Sequence, residues 1–231
     1  MSDDIAVVTG AAGALGRTVV KTLAARGDRV LAVTRHGRAD DLAPDSGGGS
    51  KLRVEAADLA VPEQVDALWE RFDERGDRPR WLVNAAGGFR AGTVAGSDAD
   101  RYQFLQDLNL GTAWWSCRAA ADRLPAGGGI VNVAARSALS GGAGSAAYAI
   151  SKAAVLRLTT VLATELVDRR VRVNAVLPSV LDTPANRGVM SADAMRHAVP
   201  TADLADVVAF LCSDAARAVT GAAIPVSGWS P

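Results

Sequence analysis

Short apolar, β-branched runs alternate along the chain with longer stretches in which apolar residues return at every third or fourth position. Residues 5–8, 29–34, 51–55, 80–83, 130–133, 171–177 and 223–226 read as strands. Between them, helices are predicted from a Gly-rich turn to about Arg26, over 61–74 with Pro62 in the first turn, over 98–120, from Tyr148 to about Val167, and over 201–214 with Thr201 as N-cap. Gly27-Asp28 stops the first helix. Strands alternating with helices require parallel pairing and right-handed crossovers, with helices on both sheet faces. The expected architecture is a single α/β domain spanning residues 1–231, a doubly wound parallel sheet of about seven strands. Residues 36–50, rich in glycine and charge, read as a mobile loop without chemistry. Residues 182–200 show no strong period and read as a short lid over a substrate.

Composition narrows the function. In 231 residues, 25 basic side chains balance 25 acidic ones, so neither nucleic acid nor a membrane surface is an expected partner. Cys117 and Cys212 lack metal-ligand spacing and fit a reduced, cytoplasmic protein. His36 and His197 are the only histidines and have no clustered ligands, so no metal site is expected. The N-terminus runs straight into a strand with no signal peptide, and no apolar run reads as long enough to span a bilayer.

Three stretches carry chemistry. Thr9-Gly10-Ala11-Ala12-Gly13-Ala14-Leu15-Gly16 follows a strand and opens a helix. Glycines there allow a tight turn, backbone approach to a pyrophosphate and close helix packing, and the helix N-terminus supplies amide donors. The second strand ends in Thr34, Arg35 and His36, with no carboxylate to accept a hydrogen bond from a ribose 2′-hydroxyl. Arg35 suits a 2′-phosphate instead, which favours NADP. The third stretch ends on Tyr148 and Lys152, whose spacing puts a phenol and an ammonium on one helix face. A lysine charge beside the phenol is expected to lower the tyrosine pKa from about 10.

Taken in order, Thr9-Gly10…Gly16, Asp58, Asn84-Ala85-Ala86-Gly87, Asn109, Tyr148-x-x-x-Lys152, Asn174-x-Val176-x-Pro178…Thr183 and Thr220-Gly221…Gly228 resemble the short-chain dehydrogenase/reductase family over almost the full length. The resemblance implies a Rossmann fold and hydride transfer from a nicotinamide, and Arg35 with no carboxylate at Thr34 favours NADPH over NADH. It implies cofactor contacts from Gly10, Gly13, Leu15, Gly16, Arg35, Asp58, Leu59, Asn84, Ala85, Ala86, Gly87, Tyr148, Lys152, Pro178, Val180 and Thr183, the last at the carboxamide. Tyr148 would donate the proton, Lys152 bind the ribose and lower the tyrosine pKa, and Asn109 hold a water in the proton relay. A homodimer or homotetramer through the two long helices is the family's habit.

The sequence departs from the family pattern in three places. The middle glycine of the turn stands one place early, so Ala14 occupies its usual position. Ser179 follows Pro178 where glycine is usual. The family's catalytic serine, thirteen residues before the tyrosine, is replaced by Ala135, with Ser137 two residues out of register. Dihydropteridine reductase is similar in its Gly-Ala-Leu-Gly turn, in Ala86-Gly87-Gly88-Phe89 and in Leu181 to Arg187, and it also lacks the serine; Arg35 departs from its NADH-type strand end. Three readings follow. One is an NADPH-dependent reductase of a small conjugated C=O or C=N compound. Another is an ordinary ketone reductase or alcohol dehydrogenase in which Ser137 replaces the serine. The last is an NADP-binding sensor or scaffold with weak turnover.

Overall fold

A computed structural model describes residues 4–37, 51–140 and 143–229. The core of the expected loop, residues 38–50, lies outside the described residues. Strands β1 (Ile5–Thr9), β2 (Arg29–Thr34), β3 (Leu52–Ala56), β4 (Pro79–Asn84), β5 (Gly129–Val133), β6 (Arg172–Pro178) and β9 (Ala223–Val226) form one seven-stranded sheet in the order β3-β2-β1-β4-β5-β6-β9. Every pairing in it is parallel. The order reverses beside β1, and a ligand crevice opens at the strands' C-terminal ends where it does so.

Alternation along each strand feeds two cores. Ile5 and Val7 of β1 face one cluster, shared with Leu68, Trp69 and Phe72 of α2 (Pro62–Glu74) and with Val155, Leu158 and Leu162 of α5 (Ala146–Glu165). Ala6 and Val8 face the other, shared with Val19 and Leu23 of α1 (Ala14–Arg26) and with Leu204 and Val208 of α8 (Thr201–Leu211). Each fully buried leucine contributes about 1.5–3 kcal/mol, so the sheet is held rigidly from both sides.

The structure corrects three expectations. The helix expected over 98–120 is interrupted. Helix α3 (Ala99–Leu105) passes through a π-helical turn, Gln106–Gly111, into α4 (Thr112–Ala121). Thr201 is not the cap of α8; Pro200 holds that position, and the Thr201 hydroxyl instead accepts from Thr18 at 3.0 Å, tying α8 to α1. Finally, α5 is long and apolar enough by length and composition to cross a bilayer. Its many alanines carry apolar character without bulk, and in the fold its inner face packs on β5 and β6 and buries Ser151 and Lys152. After β6 the chain forms a two-stranded clip, β7 (Leu181–Asp182) with β8 (Val199–Pro200), enclosing the short helices α6 (Pro184–Arg187) and α7 (Ala192–Arg196).

Candidate active site

The Gly-rich turn and the ends of β2, β3 and β4 enclose a cleft of about 360 Å³. Of the expected cofactor residues, Gly10, Gly13, Arg35, Asp58, Leu59, Ala85, Ala86 and Gly87 line it, with Thr34, His36, Leu108 and Thr112 added by the fold. Gly10 adopts φ +63°, and a Cβ there would sit 2.6 Å from Ala86 N. A Cβ on Gly16 would collide with the Gly10 carbonyl, 2.8 Å from its carbon. Both glycines are therefore fixed by backbone-on-backbone approach, and Gly10 also by its left-handed conformation. Leu15 and Gly16 do not line the cleft; they are buried behind the turn, packing α1 against it. Thr9, at the end of β1, accepts from Ala85 N at 3.2 Å and Ala86 N at 3.3 Å, fixing the second wall.

Arg35 stands at the rim, more than half exposed, with its Nε 3.3 Å from Asp58 Oδ2. Asp58 also accepts from Ala60 N at 3.1 Å. The Asn84 side chain, by contrast, turns away from the cleft. Its Nδ2 donates to Asn132 Oδ1 at 2.9 Å and to Cys117 Sγ at 3.2 Å inside the core, and Asn132 passes the chain to Thr159 at 2.9 Å.

The second part of the site lies at the ends of β4 and β5 and on α5. The π-helical turn presents Asn109 inward, 1% exposed. Its Oδ1 accepts from Gly88 N at 3.0 Å and its Nδ2 donates to Gly88 O at 3.1 Å and to Ser151 Oγ at 3.0 Å. Ser151 in turn donates to the Tyr148 carbonyl at 2.8 Å. Lys152 is buried and donates to Val133 O at the end of β5 at 2.8 Å. A Cβ on Gly87 would lie 2.8 Å from Asn109 Oδ1 and 3.1 Å from Lys152 Nζ, so Gly87 joins the cleft to this cluster.

Burial pushes the Tyr148 phenol up to about 12 and the Lys152 ammonium down to about 8. The expected lowering of the tyrosine pKa by Lys152 is thus overturned: desolvation governs both groups, favouring each neutral form. Near pH 7, Tyr148 is a protonated phenol and Lys152 still carries its charge.

Ala135 is buried at the end of β5, and Ser137 follows in a single 3₁₀ turn, Arg136–Ala138. The Ser137 hydroxyl is buried with no hydrogen-bond partner among the described residues. Pro178 ends β6; Val180 lies in the bend beyond it, and its carbonyl accepts from Val199 N at 2.8 Å. Thr183 caps α6, its hydroxyl oxygen accepting from Asn186 N at 3.2 Å with its proton left to donate. Reading the sequence missed Ser151 and Thr9 as the residues that fix Tyr148 and the Ala85-Ala86 wall. Ser151's place directly before Lys152 was the available signal.

Comparison with known proteins shows the family and the fold. The family model described as Enoyl-(Acyl carrier protein) reductase matches residues 10–228. L-xylulose reductase from Bos taurus is 32% identical, over 96% of this chain and 94% of its own. An uncharacterized short-chain type dehydrogenase/reductase from Sinorhizobium fredii is 34% identical over 97% of this chain, which spans 43% of that relative's length. A blue fluorescent protein from a metagenomic library, solved in complex with NADPH, superposes with a TM-score of 0.89 at 30% identity, covering 99% of this chain and 98% of its own. The chain belongs to the short-chain dehydrogenase/reductase family. It is an oxidoreductase with the seven-stranded α/β fold of those enzymes.

Proposed function

We propose that the protein reduces a small conjugated C=O or C=N compound with NADPH, using Tyr148 as proton donor. The observation that carries this reading is the junction at Gly87, which lines the cleft and lies against Asn109 and Lys152 of the cluster that holds Tyr148. The residues fit the cofactor: the side-chain-free turn at Gly10 and Gly13 lines the cleft, and Arg35 stands at its rim where a 2′-phosphate favours a cation. NADPH held by the Gly10 turn and Arg35 would supply the hydride, that is the two electrons, for the acceptor carbon. Tyr148 gives its phenolic proton to the acceptor oxygen or nitrogen, completing a two-electron reduction, and is reprotonated from solvent. The Lys152 ammonium stabilises the transient phenolate, and the proposed relay water is held by Asn109. Thr183 has a hydroxyl proton to offer the carboxamide, and residues 182–200 act as the lid. An acceptor already short of electrons needs less polarisation, which suits a site with Ala135 in place of the serine and the dihydropteridine-reductase-like motifs. Exposed Trp114, Ile150 and Val161 on α4 and α5 favour pairing of two copies through those helices.

A second reading is favoured by the unpartnered Ser137 hydroxyl: an ordinary ketone reductase in which Ser137 holds the substrate oxygen. NADPH absorbance followed against ketones, quinones and cyclic imines separates the two. Quinones or imines are expected to react fastest; fastest turnover of isolated ketones contradicts the leading reading.

A further inference from the structure

We propose that Phe89 is the specificity-determining wall of the substrate site and selects planar, aromatic acceptors, an inference that rests on Tyr148 being the proton donor. The Phe89 ring lies edge-on to Tyr148, with centroids 5.0 Å apart and planes at 78°. It is 59% exposed, so ring surface remains open to a ligand beside the phenol. An exposed aromatic on a loop ordinarily swings away from such a position. Here the loop is stapled at both ends to the elements that hold Tyr148. On one side, Asn109 takes both the N–H and the C=O of Gly88, and through Ser151 it is tied to the Tyr148 carbonyl. On the other side, Gly92 N donates to Gly144 O at 2.8 Å and Gly92 O accepts from Ala146 N at 2.9 Å, on the first turn of α5. Phe89 and Tyr148 are therefore fixed relative to each other by side-chain hydrogen bonds to the Gly88 backbone on one side of Phe89 and backbone bonds at Gly92 on the other.

Elsewhere on the loops after β5 and β6, apolar side chains are exposed and the nearby charges are paired. Leu139, just past the end of β5, and Val189 and Met190, beyond the end of β6, are exposed large apolar side chains. Asp182 is engaged by Arg187 through bonds of 2.5 and 2.7 Å, and Arg90 lies over the Phe104 ring at 3.6 Å. Aromatic rings prefer offset-stacked or edge-to-face partners, so the open Phe89 ring beside the phenol favours a flat aromatic ligand. A polyhydroxylated ketone gains little there, since its hydroxyls meet hydrocarbon.

The test uses two acceptors and one unreactive ligand. Wild type is expected to reduce 9,10-phenanthrenequinone with at least a hundredfold higher kcat/KM than L-xylulose. In Phe89→Ala that ratio should fall at least tenfold, mainly through the KM for the quinone, while Phe89→Trp retains it. Calorimetric titration of 2-naphthol into the NADP⁺ complex should show binding weakened at least tenfold in Phe89→Ala and weakened also in Phe89→Leu, which keeps apolar bulk without the ring. NADPH affinity within twofold of wild type confirms that each variant is folded. A preference for L-xylulose, no binding of 2-naphthol to wild type, or equal binding to Phe89→Ala overturns the proposal. If neither acceptor turns over but 2-naphthol binds through Phe89, the reductase reading fails and the aromatic subsite stands.

Discussion

The two halves of the cleft are built from different material. The half under β1, β2 and β4 is made largely of backbone: Gly10 against Ala86, Gly16 against the Gly10 carbonyl, and Thr9 holding two amides. The half at the ends of β4 and β5 and on α5 is made of side chains: Asn109, Tyr148, Ser151, Lys152 and Phe89, positioned by hydrogen bonds and ring contacts. A backbone cradle suits a ligand shared by many enzymes, because any side chain would only obstruct it. A side-chain wall suits the reaction and the substrate, because each residue changes the chemistry. Substitutions in the two halves should therefore fail in different ways.

The largest effect belongs to Lys152, which stands at the junction. Lys152→Ala should cost on the order of 10²-fold or more in kcat/KM and weaken NADPH as well. The same role is visible in pH. Burial holds the Lys152 pKa at about 8, so its charge is present below that value and lost above it. kcat/KM for reduction, which reports groups of the free enzyme, should decline as pH rises through about 8. A rate profile flat from pH 7 to 9.5 separates Lys152 from the reaction.

Next comes the backbone half. Gly16→Ala drives a methyl into the Gly10 carbonyl. Overpacking of this kind typically costs about 1–3 kcal/mol, and here it also displaces the turn that meets the cofactor. Thermal unfolding and NADPH titration should show both losses, with KM for the carbonyl little changed in whatever enzyme remains folded. Unaltered NADPH affinity contradicts the cradle.

A side chain within the cofactor half should matter less. Arg35→Ala removes a charge-assisted contact, roughly twice as strong as a neutral hydrogen bond, so preference for NADPH over NADH should drop by about tenfold. Its pairing with Asp58 is exposed and worth about 0–1 kcal/mol, too little to hold Arg35 from a phosphate. Dissociation constants for both cofactors decide this. The smallest effect is expected at Ser137: less than a tenfold loss of rate in Ser137→Ala under the leading reading. A loss of 10²–10³-fold, the scale of a deleted oxyanion donor, makes Ser137 the missing serine.

The same division explains what was legible in the sequence. Strand runs such as Ile5–Val8 and Val171–Leu177 carry their own signal, because central parallel strands are buried on both faces. The backbone half announces itself through glycine, the residue that close approach demands. The π-helical turn at Asn109 was not legible, since the apolar spacing on either side of it reads as one helix and only packing against α5 separates them. Nor was the direction of the Tyr148 pKa. Spacing placed Lys152 on the same helix face, but desolvation by burial raises the phenol, and the Phe89 ring packed on Tyr148 contributes to that burial. Asn84 shows the converse: its position at a strand end was legible, and the turn of its side chain into the Asn132–Thr159 chain was not.

The central claim is that Tyr148 is the acid and that the cofactor half works without it. Single-turnover oxidation of bound NADPH by 9,10-phenanthrenequinone, in wild type and Tyr148→Phe at pH 7, tests it directly alongside NADPH dissociation constants. A rate lower by about 10²–10⁴-fold with NADPH affinity unchanged is the predicted result. Hydride transfer at the wild-type rate in Tyr148→Phe contradicts the account.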